Sequence, residues 1–208
     1  MDPRIPQKAE QLRLYHRAVV DVLTFTVEDK LVPTTPGTAQ LAHGSAVSRL
    51  RAARRNSRIP IPSTAVVQLS VPNDPSRGFS QRRMTVNYTD RAKTVVMTAK
   101  PPQAVDIMYS LSVLLATPNQ VNEIVEAYWN TFIQDKVSIN IKIPEYSTDQ
   151  GINFTLVGTE LKTSSGESAK TGDRIFECTS NLTLKAYIFR PVTLEPALAN
   201  LVSKFEEY

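Results

Sequence analysis

The chain has 208 residues, 41% of them hydrophobic and 21% charged, enough for one well-formed core and ordinary for a globular protein. No window approaches the roughly 18 apolar residues of a transmembrane helix, residues 1–4 (Met-Asp-Pro-Arg) lack the apolar run of a signal peptide, and the lone Cys178 excludes an intrachain disulfide and points to a reducing compartment. The net charge of +4 is unevenly spread: residues 1–103 hold 16 basic and 7 acidic side chains, residues 104–208 hold 8 and 13, a pattern open to nucleic-acid binding or to a basic part of one copy meeting an acidic part of the next.

Taken in chain order, Leu12, Tyr15, His16, Val19 and Leu23 fall at helical spacing, so a helix is expected over 7–20. Residues 21–32 turn β-rich before Pro33 and Pro36-Gly37 break the pattern. Residues 38–58 combine small side chains with Arg49, Arg51, Arg54, Arg55 and Arg58, and a short helix over 45–55 would set most of these arginines on one side. A β segment at 65–71 follows Pro60 and Pro62, which should confine its start to a sheet edge or a pre-strand extension.

Residues 72–92 read as a protruding arm, with a short hairpin carried by Met84, Val86 and Tyr88 and a second strand at 94–98. From Val105 to Leu115 the chain alternates, placing Ile107, Tyr109, Leu111 and Val113 on one face. Thr117-Pro118-Asn119-Gln120 is a helix start: Thr at the N-cap, Pro at N1, and Gln at N3 to complete a capping box. Val121, Ile124, Val125, Tyr128 and Phe132 then make one apolar stripe. Strands follow at 137–143, 152–157 and 175–189, with a flexible loop expected over 163–172 and a short amphipathic tail helix over 195–208. The order predicts a single α+β domain: a largely antiparallel sheet flanked by helices, with extended arms in the N-terminal half.

Candidate chemistry is sparse. His16 lies beside the apolar helix face and reads as a packed structural histidine, and His43 sits in a loop-like Ala-His-Gly. No cysteine or second histidine stands at metal-ligand spacing from either, so no metal or cofactor is expected. Cys178 falls in a strand pattern with no positioned base, no glycine-rich phosphate loop occurs, and Glu123 and Glu126 are suited to the helix dipole. The expectation is a protein that is not an enzyme. The arginine segment is open to three readings: a solvated face, a dock for an acidic protein surface, or an unspecific contact with nucleic-acid phosphates.

The strand Met108–Val113, the helix with Asn122-Glu-Ile-Val-Glu126, and the aromatics Tyr128, Trp129 and Phe132 resemble the tail sheath stabiliser and tail completion proteins of T-even-like contractile-tailed phages. Ile152–Leu161, the polar stretch 163–172 and Arg174–Pro191 resemble the closing β-hairpin of that family; Leu31–Pro33, Arg58–Pro60 and the Phe79 arm correspond more loosely. The resemblance covers residues 10–192 and is specific over 105–191. It implies a tail terminator: a homo-hexameric ring at the head-proximal end of the tail, contacting the tail tube, tail sheath and neck or connector proteins, without membrane or sequence-specific nucleic acid, while DNA passes through the lumen. Such a protein would reside in the virion after assembly in the host cytoplasm. The candidate contact residues are Arg49, Arg51, Arg54, Arg55, Arg58, Arg77, Phe79, Arg82 and Arg83. Set beside the T-even form, the sequence reads as shorter and is expected to do without its acidic, Pro-rich C-terminal extension, so a neck contact that depends on the extension stays open.

Overall fold

In the computed structural model, residues 8–33, 61–77, 84–90, 93–99, 102–143, 151–167, 174–189 and 193–196 are described. Helix α1 spans Lys8–Val22. Strands β1 (Thr26–Val27) and β2 (Lys30–Leu31) form a minimal hairpin. Then come β3 (Ser63–Ser70), a 3₁₀ turn at Pro75–Arg77, β4 (Met84–Asp90), β5 (Lys93–Ala99) and β6 (Gln103–Leu115). Helix α2 covers Pro118–Thr131. The chain closes with β7 (Lys136–Ile141), β8 (Ile152–Gly158), β9 (Lys162–Glu167), β10 (Arg174–Ile188) and β11 (Thr193–Pro196).

The fold is α+β, and its main sheet is antiparallel with the order β3-β6-β10-β8-β7; β9 also pairs with β10. The prolines ahead of β3 do place it at the sheet edge, as expected of a segment whose start cannot donate to a ladder. A separate three-stranded sheet joins β4, β5 and β11.

Alternation dictates the layering. Ile107, Tyr109, Leu111 and Val113 are fully buried on one face of β6. The even-numbered residues of β10 (Cys178, Leu182, Leu184, Ala186) share that face because the two strands pair in a fixed register over thirteen residues. Both helices pack there. Tyr15 of α1 meets Phe154 of β8 edge-on, and Tyr128 of α2 donates to the Thr159 carbonyl at 2.7 Å and shares a 2.8 Å hydrogen bond with Ser180. Each large side chain removed from water in this layer contributes about 1.5–3 kcal/mol. Gly158 lets α2 approach: a Cβ there would lie 2.5 Å from the Tyr128 hydroxyl and 2.9 Å from the Phe132 ring.

Several expectations are corrected. Helix α1 runs on through Val22, and the β-rich reading of 21–32 shrinks to a hairpin whose turn residues Glu28 and Asp29 both have positive φ, the requirement of a type I′ turn. The expected loop at 163–172 begins as a strand: Lys162–Glu167 pairs with Arg174–Thr179, because the first half of β10 needs a partner that β8 does not supply. Strand β10 keeps unbroken register with β6, and on its other side the interruption falls at 159–161, between β8 and β9. The expected tail helix over 195–208 starts instead as strand at 195–196, held by pairing of β11 with β5; residues 197–208 lie outside the described residues.

Candidate functional site

Among the described residues, the cysteine and the histidine pack against the scaffold. Cys178 is fully buried, and burial, aided by Glu177, pushes its thiol up to about 11, far from the thiolate a nucleophile needs. His16 stacks on Tyr109 with ring centroids 5.9 Å apart, and burial lowers its pKa. His43 and the 45–55 helix expected from the sequence lie outside the described residues. Among the described residues no group of three or more His, Cys, Asp or Glu is placed to hold a metal ion, and no helix is long and apolar enough to cross a membrane. A shallow polar cavity of about 320 Å³ opens where β8 passes into β9. Its hydroxyls are used in the fold, since Thr159 Oγ1 donates to the Asn181 carbonyl at 2.8 Å and accepts from the Asn181 N–H.

Of the nine candidate contact residues, Arg77 is described; Arg49, Arg51, Arg54, Arg55, Arg58, Phe79, Arg82 and Arg83 lie outside the described residues. Arg77 is the centre of a clamp. Its Nε donates to Asp74 at 2.6 Å, and its Nη2 donates to Asp106 and to the Val105 carbonyl. The guanidinium also lies 5.5 Å from the centre of the Tyr187 ring. Hydrogen bonds from Ser76 and Arg77 hold the Asp74 carboxyl down at about 2. Backbone bonds from Asp74 N–H to the Ala104 carbonyl and from Asp106 N–H to the Pro72 carbonyl fasten the same segment to β6. Residues 72–77 are therefore tied to the sheet, and the part of the predicted arm that is described beyond them is the β4–β5 hairpin. The Asp74-Pro75 pair is the sequence signal for this turn; Asp106 and Tyr187, which complete the clamp, are distant in the chain and carried no such signal.

The sequence also left unmarked the large apolar side chains at the surface: Leu31, Leu69, Met108, Trp129 and Ile133. They belong to two regions. Met108 points out of the sheet on the side away from the helices, and Leu69 stands beside it at the β-bulge where Ser70 pairs with Met108. Trp129 lies on the outer stripe of α2 with Asn122 and Glu126, and Ile133 follows just past the helix end, bridged to Lys136. Leu31 is in the hairpin that α2 grips, where Glu28 N–H donates to Glu123 at 2.8 Å and Gln120 Nε2 donates to Glu28 at 2.9 Å. Among the described residues, the exposed large apolar side chains fall in these two regions, the kind of patch that association covers.

Residues 32–205 match the family model of the T4-like virus Myoviridae tail sheath stabiliser. The chain belongs to this family. The match takes in the whole main sheet, α2 and the β4–β5–β11 sheet, and so agrees with the resemblance seen over 105–191. The tail sheath stabilisers are structural proteins of a contractile phage tail. No curated protein matches the chain.

Proposed function

We propose that this protein is a structural virion component that forms a homo-hexameric ring at the head-proximal end of a contractile tail. The ring ends polymerisation of the tube, the sheath or both, holds the last sheath ring, and offers a surface to the neck. Its partners are other copies of itself and the tail tube, tail sheath and neck or connector proteins, with DNA passing through the lumen. The observation that carries this reading is the family match over residues 32–205. The grouping of exposed apolar residues on separate surfaces supports it, because a ring is built from heterologous contacts in which one patch meets a different patch on the next copy.

Negative-stain imaging and sedimentation of the purified protein, alone and mixed with tail tubes, test the proposal. The expected result is a six-fold ring that caps one end of each tube. A protein that stays monomeric at high concentration and binds neither tube nor sheath protein would overturn it.

A further inference from the structure

We infer that the open part of the outer face of the main sheet of one copy, around Met108, Lys142 and Lys185 and beyond the end where Ser112, Leu114, Ile175 and Glu177 are buried, docks on the α2–hairpin surface of a second copy, a head-to-tail contact that deepens the ring reading and rests on it. The two surfaces lie on opposite sides of the layered fold, since α2 packs through Tyr128 onto the other face of the same sheet.

Their charges are opposite. On the open face, Lys142, Lys162 and Lys185 are exposed among Ser, Thr and Asn side chains such as Ser138, Asn140 and Asn181. The carboxylates that share the face are already engaged: Asp106 with Arg77, and the buried Glu177 with the Ser112 hydroxyl at 2.8 Å. Glu160 stands beside Lys162 at the rim. Around α2 the exposed charges are mainly acidic, Glu28, Asp29, Glu126 and Asp135, against Lys30 and Lys136. Helix α1 carries exposed charges of both signs, Glu10 and Asp21 with Arg13 and Arg17, so the acidic surplus belongs to α2 and its hairpin.

The apolar groups divide in the same way. Met108 and Leu69 mark the open face, at 42% and 44% exposure; Trp129 and Ile133 mark the α2 surface, at 46% and 73%. Each surface therefore holds an apolar centre within charge of one sign, and each complements the other rather than itself. Self-complementary patches would close a two-fold dimer; two different, mutually complementary patches continue from copy to copy, and the ring of the proposed function requires that the rotation between copies closes.

Two charge-reversal variants and the single tryptophan test the pairing. Lys142→Glu/Lys185→Glu makes the open face acidic; Asn122→Lys/Glu126→Lys/Asn130→Lys, three exposed positions one turn apart on α2, gives the α2 surface a basic surplus. Each variant alone should associate at least about tenfold more weakly than the wild type in sedimentation, with its far-UV circular dichroism unchanged. Mixed in equal amounts they should assemble again, because every junction then joins opposite charges. Trp129 is the sole tryptophan, so wild-type assembly should shift its emission to the blue and protect it from iodide quenching. A wild type that assembles while the variants match it, while the mixture stays dissociated, or while Trp129 emission is unmoved would overturn this pairing of surfaces and leave the ring reading standing. A wild type that stays monomeric at every concentration overturns the ring reading as well.

Discussion

At the level of single residues, burial rather than reactivity decides what the titratable groups do. His16 faces the ring of Tyr109, and its Nδ1 is buried without a hydrogen-bond partner. Desolvation holds its pKa below the ordinary value of 6.5. The unfolded chain therefore binds this proton more readily than the folded one, and stability must fall as pH drops below about 6.5, the loss continuing down to the folded-state pKa. Urea denaturation at pH 7.5 and pH 5, values about one unit or more on either side of that midpoint, should show a lower midpoint in acid, and His16→Leu should flatten the dependence. An unchanged slope in the variant would mean that other groups set it. The packed state of His16 was legible from its place among Leu12, Tyr15 and Val19 at helical spacing. The identity of its ring partner was not, because Tyr109 lies 93 residues away in the chain and strand alternation says which face a side chain takes, not what crosses it.

At the level of elements, the start of α2 shows where local rules stop. Thr117 caps the helix as its sequence predicts, accepting from Gln120 N–H at a long 3.4 Å. The reciprocal half of the capping box is different: Gln120 Oε1 accepts from Ala116 N–H at 2.9 Å, one residue before the cap, while its Nε2 reaches Glu28. Gln120 is buried to 6% exposure and so joins the helix to the β1–β2 hairpin. Removing the cap, Thr117→Ala, should cost about 1 kcal/mol. Gln120→Ala leaves the Ala116 N–H and the Glu28 carboxylate without this partner and should cost more, about 1–3 kcal/mol. Chemical denaturation of the two variants checks the order; equal losses would show that the hairpin contact contributes nothing. Strand β9 was illegible for a related reason. Thr163-Ser-Ser-Gly-Glu167 has loop composition, and only the long register of β10, set by β6, creates the edge that makes it a strand.

At the level of the whole molecule, the sequence divides its charge by halves, basic then acidic, whereas the fold divides it by surfaces. Lys142, Lys162 and Lys185 come from the acidic half yet stand on one side of the sheet: alternation in β10 and just past β7 sends Lys185 and Lys142 out while Ile141, Ile143, Leu184 and Ala186 go in, and Lys162 of β9 pairs with the outward Thr179 of β10. The α+β class and the core of β6 and α2 could be read from period alone; this sorting of charge needed the register. The same register makes the sheet one cooperative unit. Strand β10 pairs with β6 over its length, with β9 at its start and with β8 further on, so Cys178 at 0% exposure can meet solvent only when that ladder opens. Its thiol, held up at about 11, is protected both by access and by protonation. At pH 8, near the ordinary thiol pKa of about 8.5, a disulfide reagent should therefore label it many orders of magnitude more slowly in the native protein than in guanidinium. The native rate, divided by that of the unfolded chain, should return the unfolding free energy measured by denaturation. Rapid labelling under native conditions would show that β9 separates from β10 on its own and that the sheet opens in parts.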